Sequence, residues 1–177
     1  MKILILGANN VGAALAENLA KEANDITLID ANADALRELK DRLDIGTSVG
    51  QPSFPDVLKR AGANDADMLI AVTDSDEINL VACQVAWSLF RTPKKICRLR
   101  ANSYVNTEKL FGNDSIPIDV VISPEQIVSQ SIKNLLELPG SLQVLDFAGG
   151  LIQLVAVRAE SGGPLVGQEI RYLREHM

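Results

Sequence analysis

The chain has 177 residues, of which 47% are hydrophobic and 4% are aromatic, and its formal net charge is −6. This length suits one domain with or without a small appendage, and the apolar content is too high for a disordered chain. The acidic balance and the scarcity of aromatic side chains predict no nucleic-acid partner, because a phosphate backbone needs a basic face and unstacked bases need aromatic rings. No apolar run is long enough to cross a membrane, so we expect neither a signal peptide nor a transmembrane helix.

The amino-terminal stretch has the pattern of a βαβ unit. An apolar strand over residues 3–6 turns at Gly7 into a helix with apolar residues at helical spacing, and a second apolar strand over residues 26–29 ends at Asp30. Gly7 permits a tight turn after the strand, and Gly12 lets the helix lie close to the sheet. This pattern predicts a dinucleotide-binding unit rather than a purely structural turn.

The same unit predicts how a nucleotide is held. The first N–H groups of the helix, with the helix dipole, can hold a phosphate, and Asp30 can accept hydrogen bonds from a ribose diol while repelling a 2′-phosphate. Asn9 stands where the G-x-G-x-x-G pattern has its middle glycine. Asparagine tolerates a left-handed backbone, but its side chain adds bulk beside the pyrophosphate. We therefore expect weaker binding or a shifted pose.

The segments after Asp30 predict a continued alternation of helices and strands. Asn32 is placed to cap a helix whose leucines lie on one face. Six strands alternating with helices predict an α/β fold with a Rossmann-like, doubly wound parallel sheet, and the ligand crevice at the carboxyl ends of its strands. Further strands are predicted over residues 44–50, 68–72, 96–100 and 119–123, and further helices over residues 56–61, 77–90 and 105–111.

Another helix is predicted from Pro124 to Leu138. Its apolar side needs a partner, because the sheet already has its full set of helices. The helix could lie across a second copy of the chain or cover an edge of its own sheet, and we favour the dimer.

The pattern changes beyond Gly140. Residues 142–147 and 152–157 predict two antiparallel strands joined at residues 149–150, and a short helix is predicted over residues 168–175. A hairpin and one helix are too small to form a core of their own. We expect the fragment to continue in the native protein, to swap with a partner, or to pack on the first domain.

Several polar side chains are predicted to meet at the carboxyl edge of the sheet. Thr73 and Asp74 follow the fourth strand, where they can contact phosphate or ribose, cap the next helix, or do both. Arg98 and Arg100 are two residues apart, so they lie on the same side of their strand. Arg98 could clamp a phosphate, or both arginines could pair with an acid such as Asp74 or Asp119.

The residues favour binding over catalysis. A hydride-transfer enzyme needs an acid–base group, but the only histidine, His176, is next to last, and no Tyr-x-x-x-Lys pair is present. No P-loop lysine follows Gly12, so phosphoryl transfer has no supporting motif. Cys83 and Cys97 are expected to be reduced core thiols rather than a disulfide or metal ligands. The competing hypothesis is a truncated NAD-dependent oxidoreductase.

Four segments of the chain carry a family resemblance: residues 1–12, Asp30, residues 71–79 and residues 162–167. Together they resemble the RCK (KTN) domains, which are regulatory modules of bacterial potassium uptake systems. The resemblance implies a nucleotide-binding domain over residues 1–123, a crossover helix over residues 124–140 that joins paired subunits, and part of a carboxy-terminal subdomain over residues 141–177.

The resemblance also implies a function. It places a ring of such domains in the cytoplasm, on the inner face of the membrane, where NAD(H), or ATP and ADP, gate a potassium channel subunit by changing the shape of the ring. No catalytic residue and no metal ligand are expected. The predicted cofactor-binding residues are Gly7, Ala8, Asn9, Asn10, Val11 and Gly12 at the diphosphate, Asp30 at the ribose, and Thr73, Asp74 and Arg98 along the remainder of the site.

Overall fold

Six parallel strands form a sheet in the computed structural model: β1 (Lys2–Leu6), β2 (Asp25–Asp30), β3 (Gly46–Val49), β4 (Met68–Ala71), β5 (Lys94–Arg98) and β6 (Val120–Ile122). Their order in the sheet is β3-β2-β1-β4-β5-β6, and every neighbouring pair is parallel. The order reverses between β1 and β4, which makes this the topological switch point of a Rossmann fold. The predicted fold class is confirmed.

Helices connect the strands and cover both faces of the sheet. Asn32 caps α2 as predicted, because its side-chain oxygen accepts hydrogen bonds from the N–H groups of Asp34 and Ala35 at 3.1 and 3.2 Å. Among the helices that the structure describes, none is both long enough and apolar enough to cross a bilayer. The helices of this part are α1 (Asn10–Ala20), α2 (Ala33–Lys40), α3 (Pro55–Arg60), α4 (Asp76–Phe90) and α5 (Asn102–Val105), with 3-10 turns at Ala63–Asp65 and Glu108–Leu110.

The core consists of two apolar layers, one on each side of the sheet. Ile3 and Ile5 of β1 pack with α1 and α2, whereas Leu4 and Leu6 pack with α3 and α4. This alternation follows from the strand geometry, in which successive side chains point to opposite faces. Because both faces are covered, β1 reads as a continuous apolar run.

The start of β5 differs from the sequence prediction. Residues 94–95 are two lysines after a proline and precede the strand predicted over residues 96–100, yet they belong to β5. Lys95 is only 2% exposed; its Nζ lies 2.9 Å from Oδ2 of Asp119 and 4.9 Å from the centroid of the Trp87 ring. These contacts compensate for burying the charge. The strand therefore begins earlier than predicted and ends before Arg100.

The helix predicted over residues 105–111 is also wrong. The structure has α5 and then the separate 3-10 turn. Asn106 has left the helical conformation, with φ −82° and ψ 1°. Val105, Asn106 and Thr107 are all weak helix formers, so a long helix gains little there from backbone propensity.

The structure describes residues 1–112, 115–148, 151–161 and 166. The chain divides into two compact units, Met1–Pro124 and Glu125–Met177. The joint predicted at residues 149–150, the helix predicted over 168–175 and nearly all of the 162–167 segment lie outside the described residues.

The second unit contains most of one helix and a hairpin. Helix α6 (Pro124–Glu137) precedes β7 (Ser141–Phe147) and β8 (Ile152–Val157), which pair antiparallel as predicted. Asn134 of α6 is buried, and its Nδ2 donates to Oδ2 of Asp146 in β7 at 2.7 Å. Most apolar side chains of this unit are exposed, among them Ile127, Val128, Ile132, Leu136, Leu142, Leu154 and Val157.

Candidate functional site

The turn from β1 to α1 requires its two glycines. Gly7 has φ +108°, and a Cβ there would lie 3.0 Å from the Cα of Thr73. A Cβ on Gly12 would lie 1.8 Å from the carbonyl oxygen of Gly7. The roles predicted for both glycines, a tight turn and a close approach of helix to sheet, are therefore confirmed. The N–H of Gly7 also donates to the carbonyl oxygen of Ile29 at 2.8 Å, which ties the turn to β2.

Asn9 adopts an extended backbone, with φ −75° and ψ 179°. The expected use of asparagine to tolerate a left-handed conformation is therefore wrong. Its Oδ1 accepts hydrogen bonds from the N–H groups of Val11 and Gly12, both at 3.1 Å, and so caps α1. Its Nδ2 donates to the carbonyl oxygen of Val72 at 2.8 Å and to Oδ1 of Asp74 at 3.3 Å. Asn9 thus takes two of the helix N–H groups that were expected to face a phosphate.

Asp30 fixes the same turn from the other side. Its Oδ2 accepts a hydrogen bond from the N–H of Ala8 at 2.6 Å, and its Oδ1 accepts one from the N–H of Asn32 at 2.8 Å. Each carboxylate oxygen has a second acceptor position, so Asp30 keeps capacity for ribose hydroxyls. Ala8 was predicted at the diphosphate, but its N–H is engaged with Asp30.

Thr73 is held by a residue whose role the sequence analysis missed. Oδ1 of Asn79 accepts from the Thr73 hydroxyl at 2.7 Å and from its N–H at 3.0 Å. Nδ2 of Asn79 donates to the carbonyl oxygens of Thr73 and Arg98 at 3.2 and 3.0 Å. Fully buried, Asn79 joins the carboxyl ends of β4 and β5. A polar amide on the apolar face of α4 was the signal that could have identified it.

The cap of α4 is Ser75, not Thr73 or Asp74: its Oγ accepts from the N–H of Ile78 at 3.3 Å. Asp76, next to it, is 8% exposed and accepts hydrogen bonds from the N–H groups of residues 100 and 101 at 3.0 and 2.8 Å. Asp76 therefore holds the chain as it leaves β5, a second role that the sequence analysis missed.

Both arginines approach the same carboxylate. Nη2 of Arg100 lies 2.8 Å from Oδ1 of Asp74, and Nη1 of Arg98 lies 3.8 Å from the same oxygen. Asp119 pairs instead with Lys95. The Arg98 side chain is 10% exposed, and its Nε is buried without a hydrogen-bond partner among the described residues. A buried donor of this kind calls for an acceptor that the described residues do not supply.

These residues enclose a cleft of about 340 Å³ at the carboxyl ends of β1, β4 and β5. The cleft lining thus contains five of the predicted cofactor-binding residues and also Arg100, which was predicted at the same edge of the sheet. Gly7, Ala8, Gly12, Asp30 and Thr73 lie behind the lining and shape it through the contacts above. The lining residues are Asn9, Asn10, Val11, Asp74, Arg98 and Arg100.

The two cysteines lie outside this cleft. Cys83 and Cys97 are buried in the core, where they were expected, and neither forms a disulfide. A hydrogen bond with Cys83 and burial both raise the pKa of the Cys97 thiol. A thiol of this kind is a poor nucleophile at neutral pH.

Comparison with known proteins places the chain in a family. The family model described as TrkA-N domain matches residues 3–124. The "Trk system potassium uptake protein TrkA" of Halomonas elongata is 62% identical over 177 residues, which is all of this chain and 39% of that protein. The chain thus spans about two fifths of the length of this relative.

Solved structures share the fold. The TrkA-N domain of the inner membrane protein ybaL from Escherichia coli superposes with a TM-score of 0.67 at 18% identity, over 76% of this chain and 96% of that one. The GsuK channel, solved with NAD and with ADP, superposes with a TM-score of 0.62 at 21% identity, over 73% of this chain. The superposition covers 22% of the NAD-bound GsuK chain and 32% of the ADP-bound GsuK chain. The fold, the turn between β1 and α1 and the family model agree: this chain belongs to the TrkA-N domain family.

Proposed function

We propose that the chain is the nucleotide-sensing part of a cytoplasmic regulatory subunit that gates a potassium uptake channel. The Halomonas relative carries the name of a Trk potassium uptake protein and is 62% identical over the whole chain. The partner is a TrkH-like membrane channel subunit, and the regulator lies on the inner face of the membrane.

The ligand in this proposal is an adenine nucleotide, NAD(H) or alternatively ATP or ADP. The main support for such a ligand is the environment of Arg98. Its buried Nε lacks a hydrogen-bond partner among the described residues, and its side chain lines the cleft at the switch point. An anionic phosphate fits this donor, and the N–H of Asn10 at the start of α1 adds a second. Asp30 is placed to accept the ribose hydroxyls. GsuK, which shares the fold, has been solved with NAD and with ADP.

Nucleotide binding acts on the channel by changing the conformation of the regulator. A nucleotide can shift the regulator between two conformations only through its different affinity for each. Helix α6 is suited to pass the shift to a paired subunit, because its apolar side chains are exposed; Ile132 is 53% and Leu136 74% exposed. Pairing through α6, as proposed from its sequence, buries this surface.

The competing oxidoreductase has less support. Transfer of hydride to or from a carbonyl needs a proton donor or acceptor beside the reacting atoms. The cleft lining consists of asparagines, a valine, an aspartate and two arginines, and none of the six is a histidine, tyrosine or lysine. The aspartate, Asp74, lies 2.8 Å from Nη2 of Arg100 as its ion-pair partner. The cleft therefore favours binding.

Calorimetric titration of the chain with NADH, ATP and ADP tests the proposal. We expect at least one nucleotide to bind and the affinities to differ among the three. Arg98→Ala should weaken binding by about 2 kcal/mol, since a charge-assisted hydrogen bond contributes roughly 1.5–3 kcal/mol. Arg37→Ala is the matched control, because Arg37 is an exposed arginine paired with Asp34 on α2. Absence of binding by all three nucleotides, or turnover of a substrate, would contradict the proposed function.

A further inference from the structure

Asp74 occupies the meeting point of the donors in the cleft. Its Oδ1 lies 2.8 Å from Nη2 of Arg100, 3.3 Å from Nδ2 of Asn9 and 3.8 Å from Nη1 of Arg98. The three donors come from different elements of the fold, the cap of α1, the end of β5 and the segment after it. One carboxylate oxygen therefore sits where guanidinium and amide groups converge, an arrangement that also suits a phosphate oxygen.

The surroundings add more negative charge on the side of Arg100. The neighbouring cleft is lined by Asp74, Asp76 and Glu77 as well as Arg100. Asp76 is engaged by backbone N–H groups. Hydrogen bonds from its own N–H and from the Ser75 hydroxyl lower the pKa of Glu77, so this carboxylate is ionised at neutral pH. The field at the arginines is thus weaker than two cations alone would produce.

We propose that Asp74 is an internal counter-ion that sets the phosphate charge of the nucleotide accepted by the cleft. This inference rests on the proposed function. Asp74 reduces the formal charge of the lining from two arginines to a net of one positive charge, and it repels a ligand in proportion to the negative charge brought near Arg98 and Arg100. ATP, with more phosphate charge than NADH or AMP, is penalised most. Such a repulsive element is a common means of specificity.

The size of the effect is limited by solvent. The Asp74 side chain is 66% exposed, so its interaction with a phosphate is screened. We expect removal of the charge to tighten ATP binding by about tenfold, ADP binding by less and AMP binding least, in line with Coulomb energies between close charges at a protein surface.

The experiment compares Asp74→Asn, Asp74→Glu and Asp65→Asn with the unsubstituted chain, titrated by calorimetry with AMP, ADP, ATP and NADH at one ionic strength. Asp65→Asn is the matched control: Asp65 is also exposed, at 75%, and ion-paired, at 3.8 Å from Lys2, but it precedes β4 at the opposite edge of the sheet. Asp74→Asn should show the graded gain. Asp74→Glu keeps the negative charge and should show no such gain, and Asp65→Asn should leave all affinities unchanged.

Each other outcome overturns the inference. An equal change for all four nucleotides means that Asp74 does not discriminate charge. Weaker binding of all four means that it orients the arginines or contacts the ribose. If the unsubstituted chain binds nucleotides but Asp74→Asn leaves their relative affinities unchanged, only this inference fails. If the unsubstituted chain binds none, the proposed function fails with it. A thermal unfolding curve for each variant verifies that the fold is intact.

Discussion

The two units use their apolar residues in opposite ways. In the first unit both faces of the sheet are covered by helices, and the β1 side chains from Ile3 to Leu6 are at most 3% exposed. In the described residues of the second unit, every residue of β8 is exposed, and Val144 is the buried apolar residue of β7. The first unit therefore buries its own apolar residues, whereas the second carries an apolar surface that gains stability only when covered.

The stability of the first unit depends most strongly on the close contact between Gly12 and the carbonyl oxygen of Gly7. Gly12→Ala would place a Cβ 1.8 Å from the Gly7 carbonyl oxygen, so α1 and the turn must separate. We expect a loss of about 3 kcal/mol in the free energy of unfolding, at the upper end for overpacking. Denaturant unfolding monitored by circular dichroism measures it. Gly46→Ala is the control, because its Cβ would meet a side-chain hydroxyl at 3.0 Å and the cost should be smaller. Equal stability of both variants would contradict the close packing.

A smaller effect should come from the ion pair that places β5 in the sheet. Lys95→Met removes the charge that lies 2.9 Å from Asp119 and should lower the free energy of unfolding by about 1–2 kcal/mol, less than for a fully buried pair because Asp119 is 43% exposed. Lys2→Met, which removes one side of an exposed pair with Asp65, is the control and should change stability little. Comparable losses in the two variants would show that burial of Lys95 adds nothing.

The same pair predicts a pH dependence. Partial burial raises the pKa of Asp119, but the hydrogen bonds from the side chain and N–H of Lys95 outweigh this and hold it below its ordinary value of 3.8. A lowered pKa in the folded state gives stability that is present above the unfolded value and is lost as the pH falls through the folded value. The advantage of the unsubstituted chain over Lys95→Met should therefore be constant near neutral pH and shrink below pH 3.8. An advantage that is unchanged in acid would contradict the ionic origin.

The second unit should respond in assembly rather than in stability. Replacing Ile132 and Leu136 together by glutamate puts charge on the exposed apolar side of α6 and should convert a dimer into a monomer. The unfolding of the first unit should change by less than about 0.5 kcal/mol, as for other surface substitutions. Light scattering measures the mass. Lys133→Ala, at an exposed polar position of the same helix, is the control. A monomeric unsubstituted chain, or a dimeric double variant, would argue against pairing through α6.

Features that depend on near neighbours in the chain could be predicted from the amino-acid sequence alone. Apolar periodicity marked the six strands, and Gly7, Gly12 and Asn32 marked the turn and a helix cap, because these residues act on backbone within a few positions. All six residues of the cleft lining, Asn9 and Arg98 among them, were also predicted at the crevice, since parallel strands bring their carboxyl ends to one edge.

Contacts between elements that are far apart in the chain form only in the folded protein and could not be predicted in the same way. Asn79 reaches the carbonyl of Arg98 across 19 residues, and Lys95 pairs with Asp119 across 24. These contacts exist only once strand register is fixed, so no local pattern announces them. The pairing of Asp74 with the two arginines was one of the predicted alternatives, but its contact with Asn9 depends on the same register. The polar side chains that shape the cleft are placed by topology, whereas the strands and turns are placed by local pattern.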